Sequence, residues 1–125
     1  MLARYKIHRG KLPAGAKRPE GIRQDTRKHT RHCLRPRTEI VLEYLANPSA
    51  EAWTKFESSY LRNLEERWTA DRAPFDDLAE LATGENVFIG CSCPTAKNPD
   101  VKRCHTVLAL KFMTERYPAL EVEFP

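Results

Sequence analysis

Four residues near the C-terminal end of the chain carry side chains able to do chemistry together: Cys91, Cys93, Cys104 and His105. A thiolate is both a nucleophile and a soft metal ligand, and an imidazole exchanges a proton near neutral pH or binds a metal. Cys91-x-Cys93, a ten-residue gap and then Cys104-His105 supply four donors of the zinc type. The spacing is tighter than in structural zinc knuckles, which place two to four residues between paired cysteines. Adjacent residues on a helix also point about 100° apart, which sets Cys104 and His105 against sharing one ion. The competing chemistry is nucleophilic. Cys91 and Cys104 would supply a thiolate, favoured at a helix N-terminus, and His105 an acid, a base or an ion-pair partner. A plain structural reading stays open too, with Cys91 a small buried hydrophobe and His105 a hydrogen-bonding group at a helix start.

These residues need a strand and a helix to hold them. Asn86-Val87-Phe88-Ile89-Gly90-Cys91 is a continuous apolar run, the pattern of a strand buried on both faces. A loop with Pro94 and Pro99 follows, and Val107, Leu108, Leu110, Phe112 and Met113 mark a helix that stops near Tyr117-Pro118. Ligands of open α/β sheets bind beyond the carboxyl ends of strands, where loops lead into helices. Cys91 stands at such a strand end and Cys104-His105 at such a helix start, with Lys102 and Arg103 beside them.

Upstream, Ala3, Tyr5 and Ile7 alternate as a half-buried strand, and Gly21 to Arg27 reads as a second one. Thr38 is placed to cap a helix through Ala46, and Asn47-Pro48 to cap the next. In that second helix Trp53, Phe56, Tyr60, Leu64 and Trp68 recur at three- and four-residue steps. Such an aromatic stripe is expected in the core rather than as a ligand platform. Pro74 starts a further helix through Ala82, with Gly84 suited to its C′ position. Leu120-Glu121-Val122-Glu123-Phe124 alternates as a last strand at a sheet edge. The expectation is a single three-layer Rossmann-like α/β domain over 1–125, with a small, partly parallel sheet flanked by helices. Within it, 1–37 is a basic strand and loop segment, 38–82 is helical, and 86–125 is a strand–helix–strand unit.

Size and charge narrow the function. A chain of 125 residues holds one core, and no apolar run approaches the roughly 20 residues that span a bilayer. The N-terminus lacks the apolar h-region of a signal peptide. A cytoplasmic location with reduced cysteines is therefore expected, without a membrane partner. The net charge of +4 conceals a division: residues 1–37 carry twelve Lys/Arg and two acids, the remainder nine Lys/Arg and fifteen acids. That asymmetry points to an anion-facing side, or to a basic segment docked on acidic helices.

Two motifs and a helix resemble a known family. Ile22-Arg23-Gln24-Asp25-Thr26-Arg27 is similar to the hydrophobic strand ending in Asp-x-Arg of the YeaO-like proteins, grouped as domain of unknown function 488. Phe88-Ile89-Gly90-Cys91 with the later Cys104-His105 resembles their strand-Cys and Cys-His signature, and Trp53-x-x-Phe56-x-x-x-Tyr60 resembles their helix. Cys93 stands where that family often has an acid, and Thr106 where it often has Arg; the Cys-x-Cys-Pro version looks like a second family with a Cys-Trp-Cys pattern. The resemblance implies a Rossmann-like fold and a site shared by Asp25, Arg27, Cys91, Cys104 and His105. Arg27 would offer a planar fork to a carboxylate or phosphate, oriented by Asp25, which could also bind a ribose hydroxyl or act as a base. A structural Asp25–Arg27 ion pair is the alternative. Arg23 and Arg103 complete the anion-binding candidates.

Three functions compete. The first is a domain that binds or acts on a small anionic, nucleotide-like ligand through Cys91, Cys104 and His105. The second is a nucleic-acid module using Arg18, Arg23, Arg27, Lys28, Arg31, Arg35 and Arg37. Tyr5 is the only aromatic residue of that segment, so base stacking has little to stand on. The third is a structural zinc domain with an interaction role.

Overall fold

The apolar run ending at Cys91 becomes the middle strand of a sheet, as a run apolar on both faces should. The computed structural model describes residues 1–125. It contains β1 (Leu2–Lys6), β2 (Ile22–Asp25), α1 (Thr38–Ala46), α2 (Ala50–Ala70), α3 (Ala73–Gly84), β3 (Val87–Cys91) and α4 (His105–Arg116). The strand order is β1-β3-β2 and both pairings are parallel. Arg4 and Gln24 flank Ile89, and Tyr5 and Asp25 flank Gly90. This register brings the carboxyl ends of all three strands to one side, where Thr26 and Cys91 sit.

Leu2, Val87, Ile89 and Thr26 have no solvent exposure and share the face on which the helices pack. Four helices flank the sheet in a Rossmann-like three-layer arrangement: α4 lies against β1 and β3, α2 packs on α4, and α1 on α2. Nearly every side chain of α4 from His105 to Met113 is buried, as a helix between two layers requires. The expected stripe on α2 behaves as core at Phe56, Tyr60 and Leu64, and Tyr60 Oη donates to the Leu34 carbonyl at 2.6 Å. Burying each such side chain contributes about 1.5–3 kcal/mol.

Local details depart from expectation where chemistry other than the apolar pattern decides. Ser49, not Asn47, caps α2: its hydroxyl accepts from Ala52 N at 3.0 Å, so Pro48 precedes the cap. Gly84 is the last helical residue of α3 rather than the residue after it. The final alternating segment forms only one parallel bridge, Leu2 to Val122, at the outer edge of β1. Leu120 is buried but Phe124 is 45 % exposed, so the alternation is not matched by burial and no strand propagates.

Gly21 opens β2 at a φ of +137°, and a Cβ there would stand 2.5 Å from the Asn86 carbonyl oxygen. We expect Gly21→Ala to destabilise the fold by about 2–3 kcal/mol in chemical denaturation, through strain and a backbone clash. Gly84→Ala, in open helical space, should instead leave stability unchanged or raise it by about 0.5–1 kcal/mol.

Candidate functional site

The end of β3 delivers Cys91, the following loop folds back through Cys93, and the chain enters α4 through Cys104. The three sulfurs lie within 4.8 Å of one another. Cys104 is the residue before the helix, with φ −128° and ψ 144°, so its side chain is freed from the helical 100° step that set it against His105. Its Sγ stands 3.9 Å from His105 Nδ1. Donors around one tetrahedral zinc are about 3.6–3.8 Å apart, given Zn–S near 2.3 Å and Zn–N near 2.0–2.1 Å. The cluster is thus geometrically capable of holding a metal ion.

Three polar residues outside the sequence motifs hold the loop. Asn98, buried, donates from Nδ2 to Cys93 Sγ at 3.2 Å and to the Arg103 carbonyl at 2.7 Å. Arg4 on β1 donates to the Cys93 carbonyl at 2.7 Å and to Thr106 Oγ1 at 2.9 Å. The Thr106 hydroxyl in turn donates to Cys104 Sγ at 3.1 Å. The parallel register explains Arg4, which stands beside Ile89 on the helix-facing side of the sheet. Its only sequence signal was a basic residue on a strand otherwise apolar in its first half.

His105 is buried, edge-on to Tyr60 at 5.8 Å between ring centroids. Its Nε2 lies 2.9 Å from Thr26 Oγ1, and that hydroxyl lies 3.0 Å from the Gly90 carbonyl. Thr26 has one hydroxyl proton and the carbonyl can only accept, so the hydroxyl donates to Gly90 O and accepts from His105 Nε2–H. His105 Nδ1 is left with its lone pair directed to the cysteine side. Burial pushes the imidazole down to about 4, which keeps it neutral near pH 7.

The three thiols perturb one another's ionisation. Hydrogen bonds from Cys104 and Cys91, with a further one from Asn98, pull the Cys93 thiol well below its ordinary value. The same hydrogen bonds to Cys104 and Cys93, with burial, push Cys91 well above it. Of the three, Cys93 is the one whose ionised form is favoured, a preference the residue types alone did not single out. Cys104 is almost fully buried, whereas Cys91 and Cys93 are half-buried.

Beside the sulfurs lies a cavity of about 380 Å³, within the range of small-molecule sites. Cys91, Cys93, Cys104 and His105 line it together with Arg9, Arg27, Lys28, Lys97 and Arg103, and no Asp or Glu does. Tyr44, Trp53 and Phe56 form its apolar wall, with Trp53 stacked on Phe56 at 5.2 Å. Part of the aromatic stripe expected only in the core thus also faces this space, because α1 and α2 leave a gap over the strand ends.

Asp25 does not line the cavity. Its carboxylate grips Arg27 with Nη2–Oδ2 at 2.7 Å and Nε–Oδ1 at 3.0 Å, and takes the Arg27 backbone N–H at 3.0 Å. Burial works against the charged carboxylate, but these hydrogen bonds outweigh it and hold Asp25 below the usual carboxylate range. Of the readings open for Asp25, the geometry matches the one that orients Arg27. Arg23 is not brought to the cavity: it pairs with Phe88 on the opposite face of the sheet, is exposed, and is absent from the cavity wall. The period-2 alternation of a strand sends it there while Thr26 points to the helices. Arg103 does line the cavity.

Fold and site define a Rossmann-like α/β protein with a Cys/His cluster at the carboxyl end of its central strand. Residues 6–117 match the family model described as the active DUF488-N3 subclade, and the chain belongs to that family. The YeaO-like motifs of residues 22–27, 88–91 and 104–105 all fall inside the match. No curated protein and no solved structure matches the chain. No helix is long and apolar enough to cross a membrane.

A neutral buried imidazole has a defined pH signature. With His105 near 4 when folded and about 6.5 when unfolded, the unfolded chain binds the extra proton between these values. The stability tied to His105 is fully present above about pH 6.5 and falls by about 3 kcal/mol as pH drops to 4. His32, also held near 4 by burial, adds to the loss in the same window. Urea unfolding from pH 7.5 to 4 should show this slope, and His105→Phe should flatten it. Thr26→Val, which removes the acceptor for Nε2–H, should cost about 1–3 kcal/mol at pH 7.5.

Proposed function

We propose that this protein binds a small anionic, nucleotide-like ligand in the 380 Å³ cavity and acts on it through the Cys93 thiolate. The single observation that carries this reading is the cavity wall, with five Lys or Arg residues, no carboxylate, and the three sulfurs at its base. In that setting a bound anion meets Arg9, Lys28, Lys97 and Arg103, which have no ion-pair partner, beside Arg27, which Asp25 pairs, in a partly dry space where each charge-assisted contact is strong. Arg27, held rigid by Asp25, presents its remaining N–H groups as a pre-set fork, and Arg103 and Lys97 approach from the cysteine loop. The aromatic wall of Tyr44, Trp53 and Phe56 suits a flat ring. Cys91 and Cys104 act as thiol donors that stabilise the Cys93 thiolate, with the neutral His105 imidazole beside Cys104. The description of the subclade as active supports a site that performs chemistry.

The test is alkylation by iodoacetamide across pH, with modified peptides quantified by mass spectrometry. Cys93 should label with an inflection well below the free-cysteine value of about 8.5, and Cys104 should be protected. A nucleoside monophosphate should slow Cys93 labelling, and Arg27→Ala should weaken that protection about tenfold or more, as loss of a bidentate contact predicts. Three thiols that titrate near 8.5 or fail to react would overturn the nucleophile.

A second reading rests on its own observation: three sulfurs in mutual reach, with a histidine lone pair 3.9 Å from one of them. Cys91, Cys93, Cys104 and His105 Nδ1 would hold zinc, which would fix the loop or polarise a ligand oxygen in the cavity. Near-stoichiometric zinc in protein purified without chelator, with Cys93 unreactive until the metal is removed, would establish it over the first. The nucleic-acid reading keeps Arg18, Arg23, Arg31 and Arg37 on the surface, while Arg27 and Lys28 face the cavity. Retention on DNA or RNA with a steep salt dependence is the result that would favour it.

A further inference from the structure

A second depression, of about 610 Å³, shares Lys28 and Pro36 with the cysteine cavity but contains none of the sulfurs. Its walls are the start of α1 on one side and the α2 residues Asn63, Glu66 and Arg67 on the other. Three features converge here. Helix α1, nine residues long, follows Arg37 as N-cap with no side-chain cap hydrogen bond, so its first N–H groups are left without that partner. Lys28, Arg35 and Arg67 line the groove and none of them forms an ion pair; the acids present are Glu39 and Glu66, and Glu66 is taken by Arg37 at 3.6 Å. Arg67 is nonetheless fixed in place, donating from Nη1 to the Cys33 carbonyl at 2.9 Å and to the Arg35 carbonyl.

The third feature is independent of charge. Asn63 lines the groove, is only 4 % exposed, and its Nδ2 is the single buried side-chain nitrogen or oxygen of the protein without a hydrogen-bond partner. A buried amide donor left unpaired costs stability, and such a group in a native fold calls for a missing partner. An acceptor-rich anion seated between the α1 N-terminus and Arg67 would supply it. An oxyanion there would also meet the helix dipole at its positive end.

We propose that this groove is a second anion site, built for the terminal phosphate of a phosphomonoester or for free phosphate. It stands apart from the thiol chemistry, and either can hold without the other. A phosphate dianion has acceptor oxygens enough for the α1 N–H groups, the guanidinium of Arg67 and the Asn63 amide together. Free small phosphates and the phosphodiesters of a nucleic acid share this chemistry, and the test separates them.

The experiment is a titration of the full chain with inorganic phosphate, followed by backbone amide NMR. Saturable shifts centred on Thr38, Glu39 and Ile40 are expected, reproduced by phenyl phosphate. Asn63→Leu, which deletes the unpaired donor, should weaken phosphate binding about tenfold while its unfolding midpoint stays level or rises. Arg37→Glu, a change at an exposed position, should weaken it similarly without touching the core. Cys93 alkylation should be unchanged in both variants, so that loss of this site is distinguishable from failure at the cysteines. Non-saturating shifts spread along residues 1–37, or binding unaffected by both variants, would overturn the proposal. An unphosphorylated oligonucleotide that displaces phosphate and binds more tightly per phosphate would overturn the commitment to a terminal phosphate.

Discussion

The hydrogen bond from His105 Nε2–H to the Thr26 hydroxyl joins the end of β2, the start of α4 and, through the Gly90 carbonyl, the end of β3. It is made in a dry setting, against the edge of Tyr60 on α2, so every layer of the domain meets at this one ring. Low dielectric strengthens the bond and makes its loss costly, because either partner alone would be a buried unpaired polar group. The bond also chooses the tautomer: with Nε2 occupied as a donor, Nδ1 must present its lone pair to Cys104. Packing and chemistry are therefore one arrangement here rather than two.

Around that ring the site divides into layers of decreasing burial. Cys104 and His105 are buried and hold the geometry, while Cys91 and Cys93 are half-buried at the base of a cavity that a ligand can enter. Three thiols in mutual reach cannot all ionise, since like charges that close in a partly dry space repel strongly. Asn98 donates to Cys93 Sγ and Thr106 to Cys104 Sγ, so each of these sulfurs has a donor that favours its anion. Arg4 and Thr106 then tie the loop to β1 and α4, so that the position of the charge depends on residues from the first and last quarters of the chain.

The basic N-terminal segment takes on a different meaning once it is folded. Arg9, Arg27 and Lys28 turn to the cysteine cavity, and Lys28, Arg35 and Arg37 border the groove at the start of α1. Five of the twelve Lys/Arg of residues 1–37 thus border two concave surfaces. Concave surfaces with low-dielectric walls focus field lines, which favours compact anions over extended ones. Asp25 is the exception that serves the rule, because its one negative charge is spent on fixing Arg27.

The residue pattern by itself carried the element types except the last strand, the buried central strand, the placement of Cys91 at a strand end and Cys104-His105 at a helix start, and the family motifs. Those features are local: periodicity, capping residues and short spacings declare them without reference to the rest of the chain. Tertiary structure alone decided that the three sulfurs come within reach of one another, that Cys104 lies outside the helix and can face His105 Nδ1, and that Arg23 points away. It also brought in Arg4 and Thr26, whose roles rest on contacts with residues 89 and 79 positions away. Strand register and side-chain burial set these outcomes, and both come from packing the helices against the sheet, which no short window of sequence encodes.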